Sequence, residues 1–468
     1  MTGTKKGARR RKRAAAARPK RSNTHTRRDD DDDTLYNDTP TTEQHRRGNG
    51  WTKATGVVGE ESAGGRNSLR LNPAQKAREI TAALRTGDLT TLRQLALSQG
   101  GFLNDRLRRK AWPALLTAVG GTNSDTPSQS PPRDAPQVAL DVIRSLTHLI
   151  PPHFSTTHQI QMRAHLSHTI LSVLAQYPYL HYYQGYHDIA STILLTLGPT
   201  PKTIRCLETI SLFHLRDFMA PTLQPALQYL SLLLPLLRRS APDVHAFLAQ
   251  DVAGFTPWFC LSWVLTWFTH DLADSSHTIA PRLLDFFLAS NPLMPLYLVA
   301  ATVISRRADL FALPDPDYAI VHHFLSSCAR FSNLDHVEDL IHAAGEMYAR
   351  FPPPTLQGDV AALRLPPTSC VERWDVDVLP FWESTTTATK RKPRHLTPAE
   401  CMAQLIAYTT AQQHNLSTQA SSKHTLGKVL RHVTLDGARQ MAIVAAMAGA
   451  TAVCWWVVEN GGVGYAVG

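Results

Sequence analysis

An all-α body is what this sequence predicts, and three observations carry the prediction. Apolar residues recur at the i, i+3, i+4 spacing of one helix face through most of residues 71–365. Within that span there are no alternating apolar and polar runs and no Asn-Gly hairpin turns. Helix-start chemistry stands where the apolar runs begin: Asn72 before Pro73, and later Thr397, Pro398 and Glu400 in a capping box. At 468 residues the chain has room for one large helical domain with tails.

Residues 1–70 come first and do not belong to that body. They are basic, then acidic, then rich in Gly, Ser and Thr, and are expected to be disordered, because they bury too little apolar surface to offset ordering entropy. The first 33 residues hold twelve Lys and Arg against five Asp, which is +7 of the chain's net +10. The rest is close to neutral, so no nucleic-acid partner is expected for the fold itself. The basic block reads equally as a nuclear signal, an anionic-lipid contact or a solvated tail. Six scattered cysteines with no Cys-x-x-Cys pair argue against a zinc site or a disulfide framework.

The helical body, 71–365, opens with "NPAQKAREITAALRTGDLTTLRQLALSQG", where Ile80, Ala83 and Leu84 share a face. "NDRLRRKAWPALLTAVGG" follows and is stopped by its glycine pair, and a polar loop, "TNSDTPSQSPPRDAPQ", leads into "VALDVIRSLTHLI". After "QIQMRAHLSHTILSVLAQY" comes "LHYYQGYHDIASTILLTLG", with a helix expected from near Asp188. Four more apolar stretches, "PALQYLSLLLPLLRRS", "PWFCLSWVLTWFTHDL", "RLLDFFLAS" and "LMPLYLVAATVISRR", read as core helices. A linker with short helices spans 366–439, and in it Trp374, Phe381 and Trp382 read as cover for the flank of the domain rather than a docking motif. Residues 440–458, "QMAIVAAMAGATAVCWWVV", carry no charge over a length of about 28 Å as a helix. With Trp455 and Trp456 near one end and Lys423, Lys428, Arg431 and Arg439 before it, the stretch reads as a transmembrane tail anchor. It would leave 459–468 across the membrane and the bulk of the chain in the cytosol.

Nothing in the sequence holds a nucleotide: there is no Gly-x-x-x-x-Gly-Lys-Ser/Thr, and also no Gly-x-Ser-x-Gly and no His-Glu-x-x-His. Two segments remain that project polar groups from apolar helices. Val138, Asp141 and Arg144 fall at i, i+3 and i+6, about one helical face. "YYQG" sets Gln184 just ahead of the next helix, on a loop that Gly185 shapes and the tyrosine rings brace. A guanidinium and an amide are the groups that complete a slow GTPase, one neutralising charge on the transferred phosphoryl and the other orienting water. The competing metal-hydrolase reading takes His187 and Asp188 as ligands, with either His181 or the pair His322 and His323 completing the set, and adjacent residues on a helix point apart, which counts against it.

These segments resemble the TBC-domain activators of Rab GTPases. "RRKAW" matches an Arg-x-x-x-Trp motif through Arg108 and Trp112, "VALDVIR" matches Ile/Val-x-x-Asp-x-x-Arg, and "YYQG" matches Tyr-x-Gln-Gly. "HYYQGYHDI", "HLRDFMAPTL", "LSWVLTWFTH" and "FFLASNPLMPLY" are similar to the endoplasmic-reticulum membrane-anchored subgroup. The resemblance covers residues 72–355 and implies a large helical TBC-type domain. It implies Arg144 as an arginine finger and Gln184 as a glutamine finger, with Asp141, Tyr182, Gly185 and Asp188 supporting the finger loops. Arg108 and Trp112 would be structural. The implied partner is a GTP-bound Rab that holds the GTP and Mg²⁺, so the chain needs no cofactor of its own, and the implied location is the endoplasmic reticulum membrane. Tyr186 stands where most members of the family carry Met. A non-catalytic scaffold that binds GTPases or tethers membranes is the alternative.

Overall fold

A computed structural model describes residues 72–117, 131–146, 155–252, 254–272, 276–331, 333–358, 364–378, 399–407 and 410. The tail expected at 1–70, the apolar stretch 440–458, Phe381 and Trp382 lie outside these residues. Among the described residues the fold is all-α, with no strand. No helix among them is long and apolar enough to cross a membrane.

The first run is two helices rather than one. α1 (Pro73–Thr86) starts where the Asn72 side chain accepts the Ala74 N–H. It ends at Gly87, whose φ of 70° turns the chain left-handed so that Asp88 can cap α2 (Leu89–Leu97) through the Thr91 N–H. α3 (Asp105–Thr117), α4 (Ala135–Arg144), α5 (Thr156–Gln176), α6 (Tyr186–Leu197) and α7 (Pro201–Phe213) follow. α4 stops earlier than the apolar pattern suggests. Ser145 is extended and Leu146 takes a φ of 67°, which makes Arg144 the last residue of its helix.

Two further helices expected as single pieces are broken, each for a physical reason. In 224–240, Pro235 has no N–H to donate to the Ser231 carbonyl and its ring crowds that group, so α8 (Gln224–Ser231) ends there and α9 (Leu233–Ser240) begins afresh. α10 (Pro242–Ala246) runs on into one π turn. The Trp-rich stretch yields a 3₁₀ turn (Trp258–Cys260) and the short α11 (Leu261–Leu265), after which Trp267 and Phe268 take φ of 51° and 67°. Such backbone costs roughly 1–3 kcal/mol per residue, and aromatic burial offsets it. Trp267 packs on His214 and Phe287, and Phe268 on Trp263 and Phe331.

α12 (Ser276–Leu288) and α13 (Met294–Ser305) complete the interior, and α14 (Arg307–Phe311), α15 (Tyr318–Ser326), α16 (Leu334–Arg350), α17 (Pro353–Gln357) and α18 (Cys370–Asp377) complete the shell. α13 is apolar on nearly all sides and is buried accordingly, and every residue of α6 except Leu195 is inside. α6 lies among α3, α4, α5, α7 and α12. The packed body continues past residue 365: Trp374, Cys401 and Leu405 belong to its core, and Asp217 accepts from Tyr229 Oη at 2.7 Å, Ser369 Oγ at 2.6 Å and the Cys370 N–H at 3.1 Å.

Arg108 and Trp112 meet far from the chain's own neighbourhood, at Asp285 on α12. The guanidinium donates to both carboxylate oxygens at 2.9 to 3.1 Å, Trp112 Nε1 donates at 2.8 Å, and the Phe102 N–H donates at 2.9 Å. Gly101 borders the same carboxylate, and a Cβ there would come within 2.3 Å of Asp285 Oδ2. Asp285 is fully buried and Arg108 nearly so. Asp285→Ala is expected to cost about 3–5 kcal/mol of unfolding free energy in urea, because it strands a buried guanidinium. A loss under about 1 kcal/mol would show that Arg108 reaches water without its partner.

Candidate functional site

α4 delivers Arg144 and the loop before α6 delivers Gln184. The local sequence explains both placements. On α4, Val138 and Val142 turn inward and carry Asp141 in with them, to 3% exposure. Arg144, three residues on, is left on the outside with its side chain 63% exposed. In the loop, Tyr182 and Tyr183 are buried on one side of Gln184, and Gly185, Tyr186, His187 and Asp188 are buried on the other. Gln184 is the exposed residue of that stretch. Gly185 makes the turn possible: its φ is 101°, and a Cβ would sit 2.6 Å from Thr266 Cγ2. α6 begins at Tyr186, two residues ahead of the start expected at Asp188.

The two segments are joined by buried polar contacts. Tyr182 Oη donates to Asp141 Oδ2 at 2.9 Å and lies 2.7 Å from His187 Nδ1. Because the hydroxyl proton goes to the carboxylate, Nδ1 must carry a proton and donate to the hydroxyl oxygen. The same carboxylate takes Gln137 Nε2 at 3.2 Å on Oδ1, and Arg144 Nη2 stands 3.7 Å from that oxygen. His187 Nε2 faces Asp188 Oδ1 at 3.4 Å, and Asp188 Oδ2 receives His270 Nδ1 at 3.0 Å. The backbone adds a second tie. Asp134, just before α4, accepts the Tyr182 N–H at 2.9 Å, and Arg133 Nη2 donates to the Leu180 carbonyl at 3.1 Å.

The tyrosines brace the loop from beneath. Tyr183 Oη donates to the Leu265 carbonyl at 3.0 Å, and Tyr186 Oη pairs with Ser211 Oγ at 2.7 Å. Their rings meet edge to face at 5.8 Å, and Tyr182 meets Tyr186 at 6.1 Å. Burial raises the phenol pKa values of all three, Tyr182 with help from the Asp141 carboxylate, so they stay neutral donors. His270 is raised as well, and for an imidazole that favours the charged state. Its hydrogen bond to Asp188 lifts it to about 9, although burial opposes this. His181 is pulled down to about 4, first by burial and then by the nearby Arg133 charge.

The arrangement brings Arg144, Asp141, Tyr182, Gly185 and Gln184 to one connected region, with Asp188 one link further along through His187. Arg108 and Trp112 stand apart at Asp285. His187 and Asp188, the pair in the metal reading, are each engaged with protein groups. Among the described residues no group of three His, Cys, Asp or Glu is placed to hold a metal ion. Sequence reasoning missed Gln137, Asp134 and His270. Gln137 lies one turn before Asp141, a spacing that is visible in the sequence. Asp134 sits in a stretch that reads as loop, and His270 comes from 82 residues beyond Asp188 with no local signal.

The family model of the Rab-GTPase-TBC domain matches residues 105–311 of this chain. TBC1 domain family member 20 of Homo sapiens is 40% identical over 297 residues, which covers 62% of this chain and 70% of that protein. The GTPase-activating protein gyp10 of Schizosaccharomyces pombe is 36% identical over 244 residues, covering 51% and 63%. The solved Ypt/Rab-GAP domain of Gyp1p superposes with a TM-score of 0.45 at 16% identity, covering 60% of this chain and 100% of that one.

The charge on His270 has a pH signature. Its folded pKa of about 9 is above the ordinary 6.5, so its contribution to stability is complete below pH 6.5 and disappears as pH rises through 9. Melting curves of the wild-type protein and His270→Ala, taken from pH 6 to pH 10, should therefore converge across that window. Curves that keep a constant separation would remove the His270–Asp188 ion pair from the account.

Proposed function

This chain belongs to the Rab-GTPase-TBC domain family, and we propose that it accelerates GTP hydrolysis by a Rab GTPase through Arg144 and Gln184 acting in trans. One observation carries the residue assignment. Arg144 at the end of α4 and Gln184 on the loop before α6 are both exposed, and they are tied to each other through the buried Asp141 and Tyr182.

The chemistry follows from what each group offers. In the transition state of phosphoryl transfer, charge spreads over the equatorial γ-phosphoryl oxygens, and a guanidinium placed there stabilises it. An amide has both a donor and an acceptor, so Gln184 can hold the attacking water and orient it in line. The Rab holds the GTP and Mg²⁺. Tyr182 sets the separation of the two groups, since its hydroxyl bonds the carboxylate beside Arg144 while its backbone leads directly to Gln184. Rigid mounting matters because a displacement of about 1 Å in such a site costs on the order of 10²-fold in rate.

The test is single-turnover GTP hydrolysis by a panel of Rabs with the full chain, which is preferable to a fragment cut at 365 because the core extends to Trp374 and beyond. Wild type should stimulate at least one Rab by about 10³-fold or more, and Arg144→Ala and Gln184→Ala should each lose most of it. A folded chain that stimulates none would leave the non-catalytic scaffold. Stimulation that survives both substitutions would assign the catalytic groups elsewhere.

Residues 440–458 are proposed to anchor the chain in the endoplasmic reticulum membrane, with the helical domain on the cytosolic side. What supports this is the uncharged nineteen-residue length, the tryptophan pair and the preceding basic residues. Full-length protein should stay with membranes through alkaline carbonate extraction, and a chain ending at residue 439 should be released. Release of both would contradict the anchor.

A further inference from the structure

α4 is apolar on two sides. Val138 and Val142 face the core, yet Pro136, Ala139, Leu140 and Ile143 all lie on the exposed side. A surface helix ordinarily turns polar residues outward. Here the one charged side chain on the outer side is Arg144, since the other charged residue of the helix, Asp141, is buried. Ile143 is 65% exposed and Leu140 53%, and Ile143 is the most exposed large apolar side chain among the described residues.

The guanidinium and these two side chains form one ridge. Leu140, Ile143 and Arg144 stand at i, i+3 and i+4, and Arg144 Nε donates to the Leu140 carbonyl at 3.4 Å, which lays the side chain back over Leu140's turn. A partner that brings a phosphate to this guanidinium comes down on Leu140 and Ile143 in the same movement. We infer that Leu140 and Ile143 are the docking contact for the GTP-bound GTPase, seating an apolar patch of its surface beside the γ-phosphate. This rests on Arg144 entering the GTPase site. The division of labour is then chemical. Apolar contact is equally strong before and during hydrolysis, so it acts on KM, whereas Arg144 meets charge that develops in the transition state and acts on kcat.

The experiment is steady-state hydrolysis with the full chain as catalyst and the stimulated Rab·GTP as varied substrate, for wild type, Leu140→Gln, Ile143→Gln and Arg144→Ala. Glutamine keeps helix propensity and removes the apolar contact. Ile143→Gln is expected to raise KM on the order of tenfold with kcat within about twofold, and Leu140→Gln to do the same more weakly. Arg144→Ala should show the opposite split. Melting temperatures of the two glutamine variants should equal that of wild type, since exposed changes cost little.

Unchanged KM in an active protein would overturn the inference while leaving the Rab-activating reading in place. A clear fall in melting temperature would overturn it as well, because the face would then be covered by the chain itself. A dimer that Ile143→Gln dissolves in sedimentation would give the face to a second copy and reject the GTPase. A wild-type chain with no activity on any Rab would overturn both readings together.

Discussion

The buried carboxylate of Asp141 is the constraint on which the site depends. A carboxylate at 3% exposure carries a desolvation penalty of several kcal/mol unless its oxygens are satisfied. Here the satisfying groups come from two segments: Gln137 from the same helix, and Tyr182 from the loop 41 residues further on. Pulling the loop away from α4 would strip Asp141 Oδ2 of its Tyr182 donor in the interior. The cost of separation therefore holds the helix that ends in Arg144 and the loop that bears Gln184 in one relative position. Tyr182 is in turn held by His187, on the first turn of a helix buried on almost every side. The loop inherits the rigidity of the core through that chain of contacts.

This explains why so short a stretch carries three tyrosines. Each ring fills core volume, and each hydroxyl finds a different partner: Asp141 on α4, the Leu265 carbonyl on α11 and Ser211 on α7. Three separate elements thereby fix five consecutive residues. Gly185 lets the backbone pass close to Thr266, where any side chain would collide. With its neighbours occupied inward, Gln184 has nowhere to go but out.

The sequence made the helical class legible because its evidence is local: caps such as Asn72 and Asp88, and apolar periodicity along each helix. The motifs that carry Arg144 and Gln184 were legible as patterns for the same reason. Breaks decided by distant packing were not. The left-handed turn at Trp267 and Phe268 exists because His214, Phe287 and Phe331 surround those rings, and nothing in "LTWFTH" announces it. The split at Ser231 was readable in principle, since Pro235 sits four residues on, but the leucines around it mask the signal. Arg108 and Trp112 showed as a motif, while their common target, Asp285, lies more than 170 residues away. His270 escaped for the same reason: its role is defined wholly by Asp188.

Three arginines of this protein show how differently one residue type can be held. Arg108 and Arg282 are buried and grip their carboxylates, Asp285 and Glu338, at 2.6 to 3.1 Å through more than one nitrogen. Breaking either grip strands charge in the interior, so neither arginine is available for anything else. Arg144 differs in each respect. Its contact with Asp141 is 3.7 Å long, its own helix carbonyl is at 3.4 Å, and its side chain is largely in water. A pair of that length and exposure is worth well under about 1 kcal/mol. Moving the guanidinium from Asp141 to a phosphate thus gives up little, and the short charge-assisted bonds gained there are several times stronger. Asp141 loses little as well, because Tyr182 and Gln137 keep its oxygens satisfied after the arginine leaves. The same carboxylate can therefore hold the helix permanently and the guanidinium loosely, which is what the role proposed for Arg144 requires.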